Sequence, residues 1–165
     1  MPNLTTSKSK DGFWEPFKTD AVPWETYQRG ERFGCRTKAL GEFGGASHVG
    51  VLLEELEPGK QACPNHYHLL EEEHLYLIQG TLELRLGPHK YSMSAGDYVC
   101  FPAGQKAGHS IINVGTTTAR YMLIGEKNPH DVMIYPDSGR VGVRLMGEGY
   151  KRSATMDYWE GERGA

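Results

Sequence analysis

The 165-residue sequence has no apolar run that approaches the length of a membrane span. Its opening, MPNLTTSKSKDGF, carries no apolar core of the kind a secretory signal needs. It has no strong excess of either charge. The formal net charge is −3 and the basic residues are scattered, so neither nucleic acid nor a membrane surface is expected as a partner. Cysteine is scarce: Cys35, Cys63 and Cys100 are odd in number, far apart and without CxxC spacing. They read as reduced thiols, and the expected location is cytoplasmic. Several functional signatures are missing as well. No GxGxxG or Walker-type segment follows a strand and opens a helix, and no Ser or Cys nucleophile sits in a triad signature. No helix-turn-helix segment is present, which excludes a self-contained transcription factor. Long stretches of 3.6-residue periodicity are absent too, so helices cannot build the core.

Glycine, by contrast, is abundant, with 21 residues. From Gly59 onward they punctuate short β-rich runs at Gly80, Gly87, Gly96, Gly104, Gly115 and Gly125, a pattern that predicts an all-β fold. HVGVLLEELE (48–57), EHLYLIQ (73–79), TLELRLG (81–87), YVCFP (98–102), TARYMLIG (118–125) and DVMIY (131–135) read as strands. A first edge strand is expected within 33–40, and GEFGGA (41–46) as a turn or loop. A chain of this size buries roughly 70% of its unfolded surface, enough for one core without staples. Many short strands without crossover helices favour a sandwich or a closed barrel, and closure removes unpaired edges. Residues 1–32 predict an irregular arm whose aromatics (Phe13, Trp14, Phe17, Trp24 and Tyr27) pack on the barrel or on a partner subunit. The barrel itself is expected over 33–135. Residues 136–165 are expected to form an extension packing on the barrel, with Tyr158 and Trp159 docked somewhere apolar.

The chemistry concentrates in PNHYHLLEEEHLYLIQG (64–80). His66 and His68, two apart, share a face if they share a strand. Glu73 opens the next strand, where its parity makes Leu75 and Leu77 lining residues and sends Tyr76 and Ile78 to the other face. His109 lies far downstream in PAGQKAGHSIIN (102–113). Three imidazoles and a carboxylate are the donor set of a mononuclear site for a divalent transition metal: Fe, Mn, Ni, Co, Cu or Zn. A lone HxH is more often a pair of surface histidines, and His109 is what weighs against that reading here. Glu72 competes with Glu73 as ligand, although only Glu73 stands six residues before Gly80. Glu71 and Glu72 are expected to be solvated charges, His74 to point away from the metal, and His48 to be structural. Cys63, three residues before His66, reads as a structural or incidental thiol.

These residues resemble the two motifs of the cupins, G(x)5HxH(x)3–4E(x)6G and G(x)5PxG(x)2H(x)3N. Here six residues, not five, separate Gly59 from His66, and four, not two, separate Gly104 from His109. Gly96, Pro102, Gly104 and Asn113 otherwise fit the second motif. The resemblance is close over about 40–135, and the segments YPDSG and DYWEGE are similar to small single-domain bacterial members, some of them labelled sugar phosphate isomerase. It implies a small antiparallel jelly-roll barrel whose metal is held by His66, His68, Glu73 and His109, with two adjacent positions free for an oxygen-rich ligand. The activity it implies is isomerase, lyase or decarboxylase, or dioxygenase chemistry on a small metabolite. The second reading is a non-catalytic metabolite-binding barrel working with a partner protein. The family's habit, with the aromatic arm, implies a homodimer. No cluster of basic residues for a phosphate is visible in the sequence, and no general acid or base is identified.

Overall fold

The computed structural model describes residues 6–162. Its strands in the first half are β1 (Glu25–Arg29), β2 (Phe33–Ala39), β3 (Val49–Leu56), β4 (Tyr67–His68), β5 (Glu73–Gln79) and β6 (Thr81–Leu86). Then come β7 (His89–Ser94), β8 (Tyr98–Phe101), β9 (His109–Ile112) and β10 (Ala119–Glu126). The chain closes with β11 (Val132–Tyr135), β12 (Arg140–Val143) and β13 (Glu148–Lys151), and one short helix, α1 (Leu40–Phe43), links β2 to β3. A six-stranded sheet runs β1-β2-β3-β10-β5-β8, a three-stranded sheet β7-β6-β9 and a four-stranded sheet β13-β12-β11-β4. Every strand pair is antiparallel.

Period-two alternation builds the barrel. Leu75 and Leu77 of β5 face inward with Leu82 and Leu84 of β6, and they meet Leu56, Met93, Phe101, Ile111 and Tyr121 in one buried cluster. Fully burying one such leucine stabilises the fold by about 1.5–3 kcal/mol. Tyr76 and Ile78 face outward, as parity requires. Gly80 makes the tight corner between β5 and β6 at φ 86°, and a Cβ there would stand 2.9 Å from the Ala119 backbone. No other residue fits that corner.

The structure departs from the sequence reading at the ends. Within the expected irregular arm, ETYQR forms β1 and pairs along β2, so β2 lies inside the sheet and is not its edge. All five β1 residues are exposed, so no alternation announced them. The expected loop 41–46 begins instead inside α1. Phe17 packs on Phe43, and Trp24 lies under Arg36 and Lys38, whereas Phe13 stays exposed. In the C-terminal extension, β12 and β13 continue the sheet of β11. Tyr158 and Trp159 do not dock on the barrel; they are 81% and 71% exposed and pack edge-on against each other at 4.7 Å. The hydrogen bonds of residues 157–162 stay within that segment, which explains why it does not reach the core. Residues 1–5 of the arm and 163–165 of the extension lie outside the described residues.

Candidate metal centre

The three sheets meet at one end of the barrel, and each contributes there. His68 ends β4, Glu73 opens β5 and His109 opens β9. His66 and His109 exchange backbone hydrogen bonds of 3.1 and 2.8 Å, a two-residue bridge that ties the β4 segment to β9. Ligands more than 40 positions apart in sequence therefore converge without depending on loop conformation.

The converging atoms are the Nε2 atoms of His66 and His68 and Oε2 of Glu73, and His109 Nε2 reaches the same carboxylate oxygen. His66 Nε2 stands 3.1 Å from His68 Nε2. Glu73 Oε2 lies 3.1 Å from His109 Nε2, 3.3 Å from His68 Nε2 and 4.0 Å from His66 Nε2. Donors bound to one ion at about 2.1 Å are spaced at roughly 3–4 Å; His66, His68 and Glu73 meet that condition as one group, and His109 joins it through Glu73 Oε2. The side chains are 6–16% exposed, leaving a narrow approach from solvent.

Outer contacts aim these donors. His68 Nδ1 bonds Asp131 Oδ2 at 2.6 Å, and Asp131, fully buried, also accepts the Leu70 N–H at 3.0 Å. Arg144 engages Glu71 and approaches Asp131 at 3.8 Å, which neutralises this acidic pair. His66 Nδ1 faces the Pro64 carbonyl at 2.9 Å, and the Phe101 ring lies flat on His109 at 3.8 Å. In each case a fixed contact leaves Nε2 turned inward.

The charges follow the contacts. Burial, then the neighbouring His109 ring, pulls His66 down to about 4, so it is neutral at pH 7. Burial also opposes charge on His68, but the carboxylates of Glu73 and Asp131 outweigh it and push the imidazole up to about 9. For Glu73 burial favours the neutral form, yet the bonds from His109 and His68 hold its carboxyl well below the usual range.

The sequence profile of the cupin domain matches residues 52–125. A crystal structure from Acidithiobacillus ferrooxidans, provisionally named a sugar phosphate isomerase, is 33% identical with a TM-score of 0.71. The match covers 75% of this chain and 80% of that one. The chain is a cupin. A second cupin, the SPO2919 sugar phosphate isomerase of Silicibacter pomeroyi, has a TM-score of 0.76 at 24% identity over 88% of this chain and 98% of its own. A Thermotoga maritima protein assigned by prediction as an oxalate decarboxylase has a TM-score of 0.60 at 20% identity, over 69% of this chain and 100% of its own. At those identities the last two establish the fold alone. No curated protein is significantly similar in sequence.

Beside the ligands the cupin barrel encloses a cavity of about 120 Å³, reached by His66, Glu73 and His109 and lined also by Glu54, Tyr121, Cys35 and Cys63. Glu54 Oε2 accepts the Tyr121 hydroxyl at 2.7 Å in a buried pair. Burial raises the Glu54 carboxyl above its ordinary range, although the bond from Tyr121 acts the other way. Burial likewise pushes Cys35 and Cys63 up to about 12. Burial thus favours the protonated forms of Glu54, Cys35 and Cys63, in contrast to Glu73 on the same cavity, and Glu54 is an acid that the sequence did not identify.

The remaining site expectations divide. Glu72 is half exposed and turned to His74 at 3.1 Å, and His74 bonds the Tyr98 hydroxyl at 2.7 Å on the outer face. Glu71 is a correction: it is 3% exposed, bonded to Arg144 and to the Asn128 N–H, and it is not a solvated charge. His48 is exposed. The Cys63 thiol lies 3.7 Å from His66 Nδ1, outside the converging set. Among the described residues no helix is long and apolar enough to cross a membrane.

Proposed function

We propose that this cupin is a metal-dependent enzyme acting on a small hydroxy-carbonyl metabolite, with isomerisation as the reaction class. The observation that carries the reading is the convergence of His66 Nε2, His68 Nε2 and Glu73 Oε2, 3.1–4.0 Å apart, with His109 Nε2 3.1 Å from the same carboxylate oxygen, beside a cavity that holds a buried acid. His66, His68, Glu73 and His109 would hold one divalent transition metal, and that ion would supply Lewis acidity toward an oxygen of the substrate. Asp131 keeps the His68 ring in register. Leu75, Ile111, Leu123 and Phe101 keep bulk water from the inner wall of the cavity. Glu54 accepts the Tyr121 hydroxyl through Oε2, which leaves Oε1 to carry the exchangeable proton. An acid whose pKa burial raises suits proton transfer to and from a substrate carbon or oxygen. The provisional name of the A. ferrooxidans relative points to the same reaction class.

The test is elemental analysis of tag-free protein beside His66→Ala and Glu73→Ala, followed by turnover assays on hydroxy-carbonyl compounds with wild type and Glu54→Gln. Roughly one metal per chain, lost in both ligand variants, with turnover that falls in Glu54→Gln, is the expected result. No metal after reconstitution sinks the metal reading. Metal and ligand binding without turnover would instead favour a metabolite-binding barrel that works with a partner protein, a reading suited to the small size of the enclosed cavity. We also propose a homodimer, supported by exposed Tyr76, Ile78 and Tyr98 together on the outer sheet face. Light scattering that returns a monomer removes it.

A further inference from the structure

Outside the ligand set, a groove of about 730 Å³ gathers Arg29 from the end of β1, Arg32 from the following turn and Arg140 from the start of β12. These positions are scattered in the sequence, and only the fold brings them together. The groove holds one acid, Asp137, and it is already satisfied: Arg85 binds it through two bonds of 2.7 and 2.9 Å, and Asn65 donates to it at 3.2 Å. Among the described residues Arg29, Arg32 and Arg140 take part in no salt bridge. Three guanidinium groups facing one concavity without an available counter-anion repel each other, and a bound dianion relieves that repulsion.

Two of the three are also held in place. Arg32 Nε donates to Gln61 Oε1 at 2.8 Å, which leaves its terminal nitrogens available. Arg140 lies over the Tyr135 ring at 3.8 Å, and the same ring stacks on His66 with centroids 5.7 Å apart. The guanidinium therefore stands one aromatic ring away from a metal-ligand imidazole. Asn65, 4% exposed and lining the groove, backs Asp137 through its amide nitrogen.

We propose that this groove binds the phosphate dianion of a phosphorylated substrate whose hydroxy-carbonyl end reaches the metal. The proposal rests on the metal-centre reading for the second end only. Guanidinium pairs match phosphate oxygens bidentately.

Calorimetric titration with inorganic phosphate tests the groove separately from the metal. It is run on wild type as purified, on wild type stripped by chelator, and on the Arg32→Gln/Arg140→Gln double variant, with acetate as a competing probe. We expect phosphate to bind equally with and without metal, and to lose about tenfold or more in affinity in the double variant, with metal content unchanged. Phosphate binding that disappears on chelation yet survives in the double variant places the anion at the metal and overturns the proposal. Acetate binding as tightly as phosphate overturns the dianion assignment. Absence of metal from wild type defeats the metal-centre reading and leaves the groove result standing. A hexose 6-phosphate that binds at least tenfold more tightly than the free hexose, in wild type but not in the double variant, completes the expected pattern. Equal binding of the two sugars counts against it.

Discussion

Glu54 and Glu55 are neighbours on β3, both nearly excluded from solvent, and they end in opposite electrostatic states. Glu54 points into the barrel, where it accepts the Tyr121 hydroxyl, and burial raises its carboxyl. Glu55 points to the outer face. Burial would raise it too, but Arg120 Nε at 2.8 Å and Arg36 Nε at 2.6 Å hold it lowered. Strand parity sends one carboxylate to a site with no cation and the other to a site with two. Burial alone therefore does not decide protonation; the available counter-charge does. An ionised acid serves as a structural clamp, and a neutral one is available for proton chemistry.

The largest effect on the site is expected from removing a counter-charge that the cavity side does possess. Asp131→Ala removes the 2.6 Å partner of His68 Nδ1 and the acceptor of the Leu70 N–H, leaving Glu71 Oε2 at 3.4 Å from that ring nitrogen. Metal affinity should fall about 10–100-fold, read by titration against a competing chelator. An unchanged affinity would mean that His68 needs no orienting partner. Next comes the clamp. Glu55→Ala strands two half-exposed arginines and should cost about 2 kcal/mol in urea denaturation. Glu54→Gln keeps an oxygen for the Tyr121 hydroxyl and should cost less than about 1 kcal/mol while impairing turnover. Equal costs would erase the distinction between the two glutamates.

Their pH responses should run in opposite directions. Below its ordinary value of 4.5, Glu54 carries a proton in both the folded and the unfolded chain. As pH rises past that value, the unfolded chain releases the proton and the fold retains it, so stability is lost with rising pH. For Glu55 the fold is the better anion. Its contribution is complete above 4.5 and is lost as pH falls through and below that value. Melting temperatures of Glu54→Gln should therefore gain on wild type as pH rises above 4.5. The deficit of Glu55→Gln should shrink on acidification. A Glu54→Gln difference that stays flat with pH would show Glu54 to be ionised.

The same contrast explains what the sequence made legible. The approach of His66, His68 and Glu73 to one another was readable because short spacings along strands fix which face a side chain takes, whereas His109 came from a distant segment. Leu75 and Leu77 followed from the same parity. The strand HVGVLLEELE held a usable signal as well, since adjacent glutamates must face opposite ways and one of them must enter the barrel. Asp131 gave no such sign: it lies 63 residues from His68, and only the pairing of β4 with β11 brings them together. Glu71 looked solvated because its partner Arg144 is 73 positions away. The rim arginines come from segments at both ends that lack periodicity, so their meeting depends on tertiary placement. Local rules thus reach the ligands and stop at their outer contacts.

The smallest expected effect tests how finely Glu73 is placed compared with its exposed neighbour Glu72. Gly125 of β10 sits opposite Glu73 in register, and a Cβ built there would stand 3.2 Å from Glu73 Cγ. Its φ lies outside the left-handed region, so alanine meets no backbone objection and only the contact changes. Gly125→Ala should push the carboxylate by a few tenths of an ångström and lower metal affinity by less than roughly tenfold. Stability should change by less than about 1 kcal/mol. Glu72 cannot take over, because its side chain is turned to His74 on the outer face. If Gly125→Ala binds metal as tightly as wild type while Glu73→Ala binds none, the site tolerates displacement of its carboxylate. Precision would then reside in the three imidazoles, each fixed by a contact of its own.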